Sequence, residues 1–191
     1  EILRAEGLNA FAVVDISTVS GAALAAYDVV ILGEMPLSST QVTMFSDYVT
    51  SGGNLIAMRP DKKLAGLLGL TATPSTLSDK YLLIDNFSNP GAGIVNEPIQ
   101  FHGTADLYTV SGATSLATLY SNATTPTANP AVTWQSIGPN GGQAAAFTFD
   151  LARSIVYTRQ GNPAWEKQLR DPNTGCQPDG AKPCVTGSQK P

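Results

Sequence analysis

Apolar runs alternate with a helical pattern over the first third of the chain. Residues 11–15 and Val29–Leu32 are short runs of strand type, and Ser20 is positioned to cap a helix over residues 21–27 between them. Asn54–Met58 is a third apolar run. Strand, helix, strand in this order predicts βαβ units, whose parallel strands are joined by crossover helices.

The clearest helical pattern precedes the third run. Apolar residues recur at helical spacing from Val42 to Val49, Ser38 or Ser39 is the expected N-cap, and a Gly-Gly pair at residues 52–53 ends the helix. Residues 1–7 are typical of the last turns of a helix. We therefore expect a sheet strand to be missing ahead of residue 1.

The second half of the chain is richer in β pattern. Pro60 favours a short helix that ends at Gly69, after which strand-like segments separated by Gly, Pro and Asn turns follow. These segments are residues 81–85, 99–101, 105–110, 115–120, 131–137 and 144–149, and residues 151–159 return to a helical pattern. The predicted fold is α/β, with a flavodoxin-like parallel sheet covered by helices on both faces and an extra β-rich segment in the second half.

Composition narrows the class of protein. The 191 residues fit one domain, and 42% hydrophobic residues suffice for a core. Only 14% of residues are charged, and 11 Lys and Arg against 15 Asp and Glu give a net charge of -4, which makes nucleic acid an unexpected partner. The apolar runs are too short to cross a bilayer, so we expect no membrane span.

Two sequence stretches carry a resemblance to a known family. Tyr-Asp-Val-Val-Ile-Leu-Gly-Glu at residues 27–34 and Gly-Gly-Asn-Leu-Ile-Ala-Met-Arg-Pro-Asp at residues 52–61 resemble the class I glutamine amidotransferase-like superfamily, including its trehalose-utilisation-like extracellular relatives. Residues 99–106 and 149–165 are similar to stretches of uncharacterised bacterial secreted proteins. The resemblance implies a domain over residues 1–170 that lacks its first strand, followed by a Pro/Gly-rich tail over residues 171–191.

The chain departs from that family where the chemistry would lie. The family's nucleophilic Cys occupies a strand-to-helix turn at which this chain has Arg59, Pro60 and Asp61. Amidotransferase chemistry needs a thiolate paired with an imidazole, and a serine hydrolase of this architecture needs Gly-x-Ser-x-Gly, which the sequence lacks. We therefore expect neither reaction, and the chain is more consistent with a pseudoenzyme.

Four charged residues each follow a predicted parallel strand: Asp15, Glu34, Arg59 and Asp61. Ligands of open α/β sheets bind outside the carboxyl ends of the strands, so these side chains are candidates for ligand binding at one edge. Helix capping and mutual ion pairing are the structural alternatives.

The single histidine, His102, is a candidate general base or metal ligand, with Asp106 as the group that orients it. A hydrogen-bonded structural histidine is the alternative. We expect no cofactor and no bound metal.

A surface for a sugar or a protein partner is predicted around Arg153, Arg159, Gln160 and Trp165. Trp165 could instead pack a last helix onto the sheet.

The only cysteines, Cys176 and Cys184, lie in the tail. A local disulfide between them is the favoured interpretation, with free thiols or a metal site as alternatives. A disulfide and the low charge favour an exported, extracellular or cell-surface protein whose export signal would lie upstream.

These observations predict a non-catalytic module of a larger exported protein that acts in ligand or carbohydrate binding or in protein interaction. One alternative is a carbohydrate-directed enzyme that uses Glu34, Asp61 and His102, and another is a self-assembling extracellular structural subunit. The expected partner is an upstream segment of the same precursor, or a neighbouring subunit, that fills the position of the missing strand.

Overall fold

The computed structural model describes residues 2–160 of the chain. Predictions for Trp165, for Cys176 and Cys184, and for the tail lie outside the described residues. The elements in chain order are α1 (Ile2–Ala5), α2 (Gly21–Leu24), β1 (Val29–Leu32), α3 (Ser39–Thr50), β2 (Asn54–Met58), β3 (Leu70–Ser78), β4 (Tyr81–Ile84), β5 (Ile99–Gln100), β6 (Thr104–Val110), β7 (Thr114–Asn122), β8 (Thr125–Ile137), β9 (Gly142–Phe147) and α4 (Leu151–Gln160), with 3-10 turns at Ile16–Thr18 and Lys62–Leu64. None of the described helices combines the length and apolar character that a membrane span requires.

Seven of the strands form one mixed sheet in the order β1-β2-β9-β8-β7-β4-β5. β1, β2 and β9 are parallel, whereas the remaining neighbours pair antiparallel. β3 and β6 form a separate antiparallel pair. A single backbone bridge between Ala105 of β6 and Phe149, just after β9, joins this pair to the end of the parallel strands.

The prediction of a flavodoxin-like parallel sheet with helices on both faces is wrong. The fold is mostly β, and its described helices are short. Only Ala123 and Thr124 separate β7 from β8, and four residues separate β8 from β9, which is too short for a helical crossover, so these strands pair antiparallel. Residues 11–15 also belong to none of the described strands, and the helix predicted after Pro60 is reduced to a 3-10 turn.

Of the elements predicted around the parallel strands, the long helix α3 and the strands β1 and β2 are confirmed, whereas the helix predicted over residues 21–27 ends at Leu24. α3 begins with a capping box, in which the Ser38 hydroxyl accepts a hydrogen bond from the Gln41 N–H and the Gln41 side chain accepts one from the Ser38 N–H. Phe45 and Val49 of this helix are buried against the sheet. β1 and β2 have the bounds that the apolar runs predict.

Two hydrophobic clusters form the core. The first lies on one face of the parallel strands and the second lies toward the antiparallel end of the sheet. The first includes Leu32, Phe45, Val49, Leu55, Leu64, Leu68 and Tyr108, and the second includes Leu82, Phe101, Leu119, Ala131 and Phe149. The alternation along β1 directs Leu32 into the first cluster and leaves Val29 and Ile31 exposed.

Candidate functional site

Arg59 occupies a sharp turn at the carboxyl end of β2. Its backbone has φ 40, a left-handed conformation that is uncommon for a residue with a side chain. Its N–H donates a 2.7 Å hydrogen bond to the Phe147 carbonyl at the end of β9. This bond holds the strained turn against the parallel strands.

The Arg59 guanidinium contacts two carboxylates. Its Nη1 lies 2.6 Å from Glu34 Oε1, and its Nε lies 2.9 Å from Asp106 Oδ2. The Asp106 side chain is 16% exposed and that of Glu34 is 50% exposed, so the contact with Asp106 is the better shielded. Lys62 Nζ lies 3.9 Å from the second oxygen of Asp106.

Asp106 reaches this position because β6 passes beside the end of β9. The Asp106 N–H donates to the Thr148 carbonyl at 2.9 Å, next to the bridge between Ala105 and Phe149. The separate β3–β6 pair therefore contributes one carboxylate to an edge that is otherwise built by β1 and β2.

Asp61 joins the loop after β1 to the turn after β2. Its carboxylate accepts hydrogen bonds from the Leu37 N–H at 2.8 Å and the Lys63 N–H at 2.9 Å, and Lys63 Nζ lies 3.8 Å away. Burial acts to raise the pKa of Asp61, but these hydrogen bonds and the Lys63 charge together hold it below its usual value. Asp61 is therefore a structural anion that fastens the two loops.

Tyr108 lies beneath this edge. It is fully buried, and its hydroxyl donates a 2.9 Å hydrogen bond to the Pro60 carbonyl. Burial raises the pKa of Tyr108 well above its usual range, the nearby Asp106 and Asp61 charges raise it further, and Arg59 partly opposes them. The phenol thus remains protonated and supports the turn as a donor.

We call Glu34, Arg59, Asp61, Lys62 and Asp106 the charged cluster. The structure brings Glu34, Arg59 and Asp61 to one edge, as the sequence predicts, and adds Asp106. Asp15 is placed differently because residues 11–15 form no strand. It caps the turn at Ile16–Thr18 and accepts hydrogen bonds from the Ser17 hydroxyl and N–H, which lower its pKa.

His102 packs against α4. It is 6% exposed, its backbone N–H donates to Ser154 Oγ at 3.0 Å, and its ring meets the Tyr157 ring edge-on, with centroids 5.5 Å apart. Burial lowers the pKa of His102, and the Asp79 charge partly opposes this shift. The Asp106 carboxylate contacts Arg59 and Lys62, so it is not placed as the group that orients His102.

Both arginines of the predicted surface on α4 make contacts within the chain. The Arg153 guanidinium lies 5.6 Å from the centre of the Tyr157 ring, and Arg159 pairs with Glu6 after α1. The first contact lies within α4, and the second joins α4 to the residue that follows α1.

Sequence reasoning missed Lys62 and Tyr108. The signal for Lys62 was its position directly after Asp61, and the signal for Tyr108 was its period-two spacing from Asp106, which puts both on one side of β6. Within residues 2–160, no group of three His, Cys, Asp or Glu side chains could hold a metal ion.

No protein-family model and no curated protein matches the chain. Solved structures do match. A β-galactosidase from Bacillus circulans sp. alkalophilus has a TM-score of 0.51 at 14% identity over 71% of this chain and 23% of its own. The exo-β-1,4-mannosidase Op5Man5 from Opitutaceae bacterium strain TAV5 has 0.52 at 16% identity over 73% and 23%. The mmIFT52 N-terminal domain has 0.54 at 13% identity over 74% of both chains.

These likenesses show a shared fold. The chain spans less than a quarter of the two glycosidases. The predicted resemblance to the glutamine amidotransferase-like superfamily and its trehalose-utilisation-like relatives is wrong, because the structures that match include glycosidases and the IFT52 domain, and no family model matches.

Proposed function

We propose that this chain is a non-catalytic binding module of a larger protein and that it acts through contacts with another polypeptide. The observation that carries the non-catalytic role is the double contact of Arg59 with Glu34 and Asp106. The exposed apolar side chains of Val29 and Ile31 support contact with a polypeptide. Carboxylates that act in glycoside hydrolysis need room for the sugar between them, and one must keep its proton at neutral pH. In the charged cluster the guanidinium lies between the two carboxylates instead.

The other candidate acid and base groups support the same proposal. The pKa of Asp61 is lowered by hydrogen bonds that also fix two loops, so this carboxyl is poorly suited to donate a proton. His102 packs on α4 with Ser154, apart from the contacts that build the charged cluster. The enzyme alternative that uses Glu34, Asp61 and His102 therefore has the weaker support.

The fold neighbours are consistent with a module. In the β-galactosidase and the mannosidase, a unit of this fold occupies under a quarter of a longer chain, whereas the IFT52 structure is described as an N-terminal domain. An exported location for the larger protein and a self-assembling role for the domain stay predictions.

Carbohydrate binding is the second candidate. Trp134 of β8 is 36% exposed, and its indole N–H lies 3.4 Å from the Gln143 side-chain oxygen on β9. An exposed indole combines an apolar face with a polar N–H, and a sugar ring also presents apolar and polar groups together. Two of the matching structures are also named as a galactosidase and a mannosidase.

Two measurements on the full chain test these alternatives. The wild-type chain should hydrolyse nitrophenyl β-galactoside and β-mannoside no faster than a Glu34→Gln/Asp106→Asn variant does. Hydrolysis by the wild type that this double substitution abolishes would overturn the proposal.

Affinity electrophoresis in galactan and mannan gels tests the second candidate. The chain should migrate more slowly in these gels if it binds the polysaccharide. Carbohydrate is the ligand if Trp134→Ala removes this retardation and Phe87→Ala, at another exposed aromatic residue, does not.

A further inference from the structure

The first strand of the sheet has an open side. β1 is the end strand in the sheet order, and its described strand neighbour is β2. An end strand has a row of backbone N–H and C=O groups that point away from the sheet, and such a row can pair with another strand. We call this row, with the side chains of Val29 and Ile31, the β1 edge.

The side chains at the β1 edge are apolar and exposed. Val29 is 51% exposed and Ile31 is 45% exposed. The register places Ile31 beside Ile56 of β2, so the exposed apolar surface continues into the sheet. Strands of parallel sheets are normally buried on both faces, and a hydrophobic end strand without cover is normally avoided because it recruits other strands.

A second apolar segment is exposed in the same part of the chain. In residues 11–15, Val13 is 86% exposed and Val14 is 51% exposed. The turn that follows places Ile16 against the first hydrophobic cluster, to which Leu32 of β1 also belongs. Two apolar segments thus lead into one core, while two valines of the first segment and two side chains of β1 remain exposed.

We propose that the β1 edge is a docking site for an extended apolar strand of a partner polypeptide, with basic residues at both ends of that strand. This inference rests on the proposed role as a binding module and names the class of partner. The basic ends follow from charge complementarity with a chain whose net charge is -4. Asp28 precedes the strand, and Glu34, which follows it, is half-exposed and contacts Arg59 through Oε1 alone of its two oxygens among the described contacts. Backbone hydrogen bonds to β1 would supply affinity, and alternate apolar side chains would cover Val29 and Ile31.

A second copy of the chain fits the β1 edge poorly. A two-fold antiparallel pairing that keeps the core faces aligned must centre on Val30 or Ile31. Centred on Ile31, it would place Asp28 opposite Glu34 of the other copy, which is a repulsive contact. Centred on Val30, it would place the Asp28 carboxylate opposite the buried Leu32.

A designed peptide tests the site in the full chain. The probe is acetyl-Lys-Lys-Val-Ile-Val-Val-Lys-Lys-amide, followed by fluorescence anisotropy and by hydrogen exchange of the amides of residues 29–32. We expect saturable binding and slower exchange at the amides of Val29 and Ile31, which alternate with the positions that bond to β2. A peptide with Glu in place of every Lys should bind about tenfold more weakly, and one with Pro in place of Ile should not bind, because Pro removes a backbone donor.

Variants of the chain locate the contact. Ile31→Lys should abolish binding, whereas Ile99→Lys, at an exposed isoleucine of β5 at the opposite end of the sheet, should retain it. Circular dichroism is the check that both variants fold, and the peptide series tests the wild-type chain independently of them.

Three results would overturn the inference. They are absence of binding of the Lys peptide to the wild-type chain, full protection of residues 29–32 before peptide is added, and a stable dimer in sedimentation that is lost in Ile31→Lys. The first two would leave the proposed non-catalytic role standing, since that role is judged by glycoside turnover.

Discussion

The Arg59 guanidinium lies 2.9 Å from the carboxylate of Asp106, a residue 47 positions later in the chain. This contact joins the main sheet to the separate β3–β6 pair, because Arg59 directly follows β2 and Asp106 lies in β6. It therefore fastens two parts of the fold at the edge where a ligand would be expected. That relationship is the basis of the structural role assigned to the charged cluster.

Tyr108→Phe tests the support beneath the cluster. Removal of the hydroxyl leaves the Pro60 carbonyl without the donor that the structure shows, so we expect the free energy of unfolding to fall by about 1–2 kcal/mol. Urea denaturation measures the change. Tyr27→Phe is the control, since Tyr27 is 46% exposed, and an equal loss in both variants would contradict the assigned role.

Gly142→Ala tests the packing of α3 on β9. A Cβ at Gly142 would lie 1.8 Å from the Val49 carbonyl oxygen, so the helix and the strand must separate, with an expected loss of about 2 kcal/mol or more. At Gly66 an added Cβ meets no atom within 4 Å, and Gly66→Ala should change stability little. Thermal denaturation compares the two variants, and equal melting temperatures would refute the described packing.

His102 predicts a dependence of stability on pH. Burial lowers its pKa in the folded state, so the protonated form is favoured in the unfolded chain. The contribution of the neutral His102 to stability is fully present above the pKa of the unfolded chain, about 6.5, and is lost as the pH falls through the pKa of the folded state. Between pH 7.5 and pH 5, the wild type should therefore lose more unfolding free energy than His102→Gln. Parallel pH curves for the two proteins would show that His102 does not titrate against burial.

The local elements were largely predictable from the sequence. The Ser38 cap, the apolar spacing of α3 and the bounds of β1 and β2 depend on neighbouring residues, and the structure confirms them. The strand-like segments of the second half match β4, β5, β6, β7 and β9 to within two residues at each end. β8 begins at Thr125, six residues before the predicted segment, and β3 was not predicted.

Strand neighbours were not predictable in the same way. The pairing of β2 with β9 joins Asn54 to Gln143, and an apolar strand pattern does not specify its partner. The predicted fold class was wrong because it depended on which strands are neighbours in the sheet. Glu34 and Arg59 could be placed at one edge because each follows a parallel strand, whereas Asp106 reaches them only through the route of β6 past β9.

The most direct test of the structural role is a double-mutant cycle between Arg59 and Asp106, measured as free energies of unfolding in urea at neutral pH. We expect Arg59→Met and Asp106→Asn each to lower stability by about 1–3 kcal/mol, and the double variant to lose less than the sum because the two side chains share one contact. Groups held for catalysis commonly show the opposite behaviour, with replacement neutral or stabilising while activity is lost. Additive losses, or unchanged or increased stability in the single variants, would contradict the account.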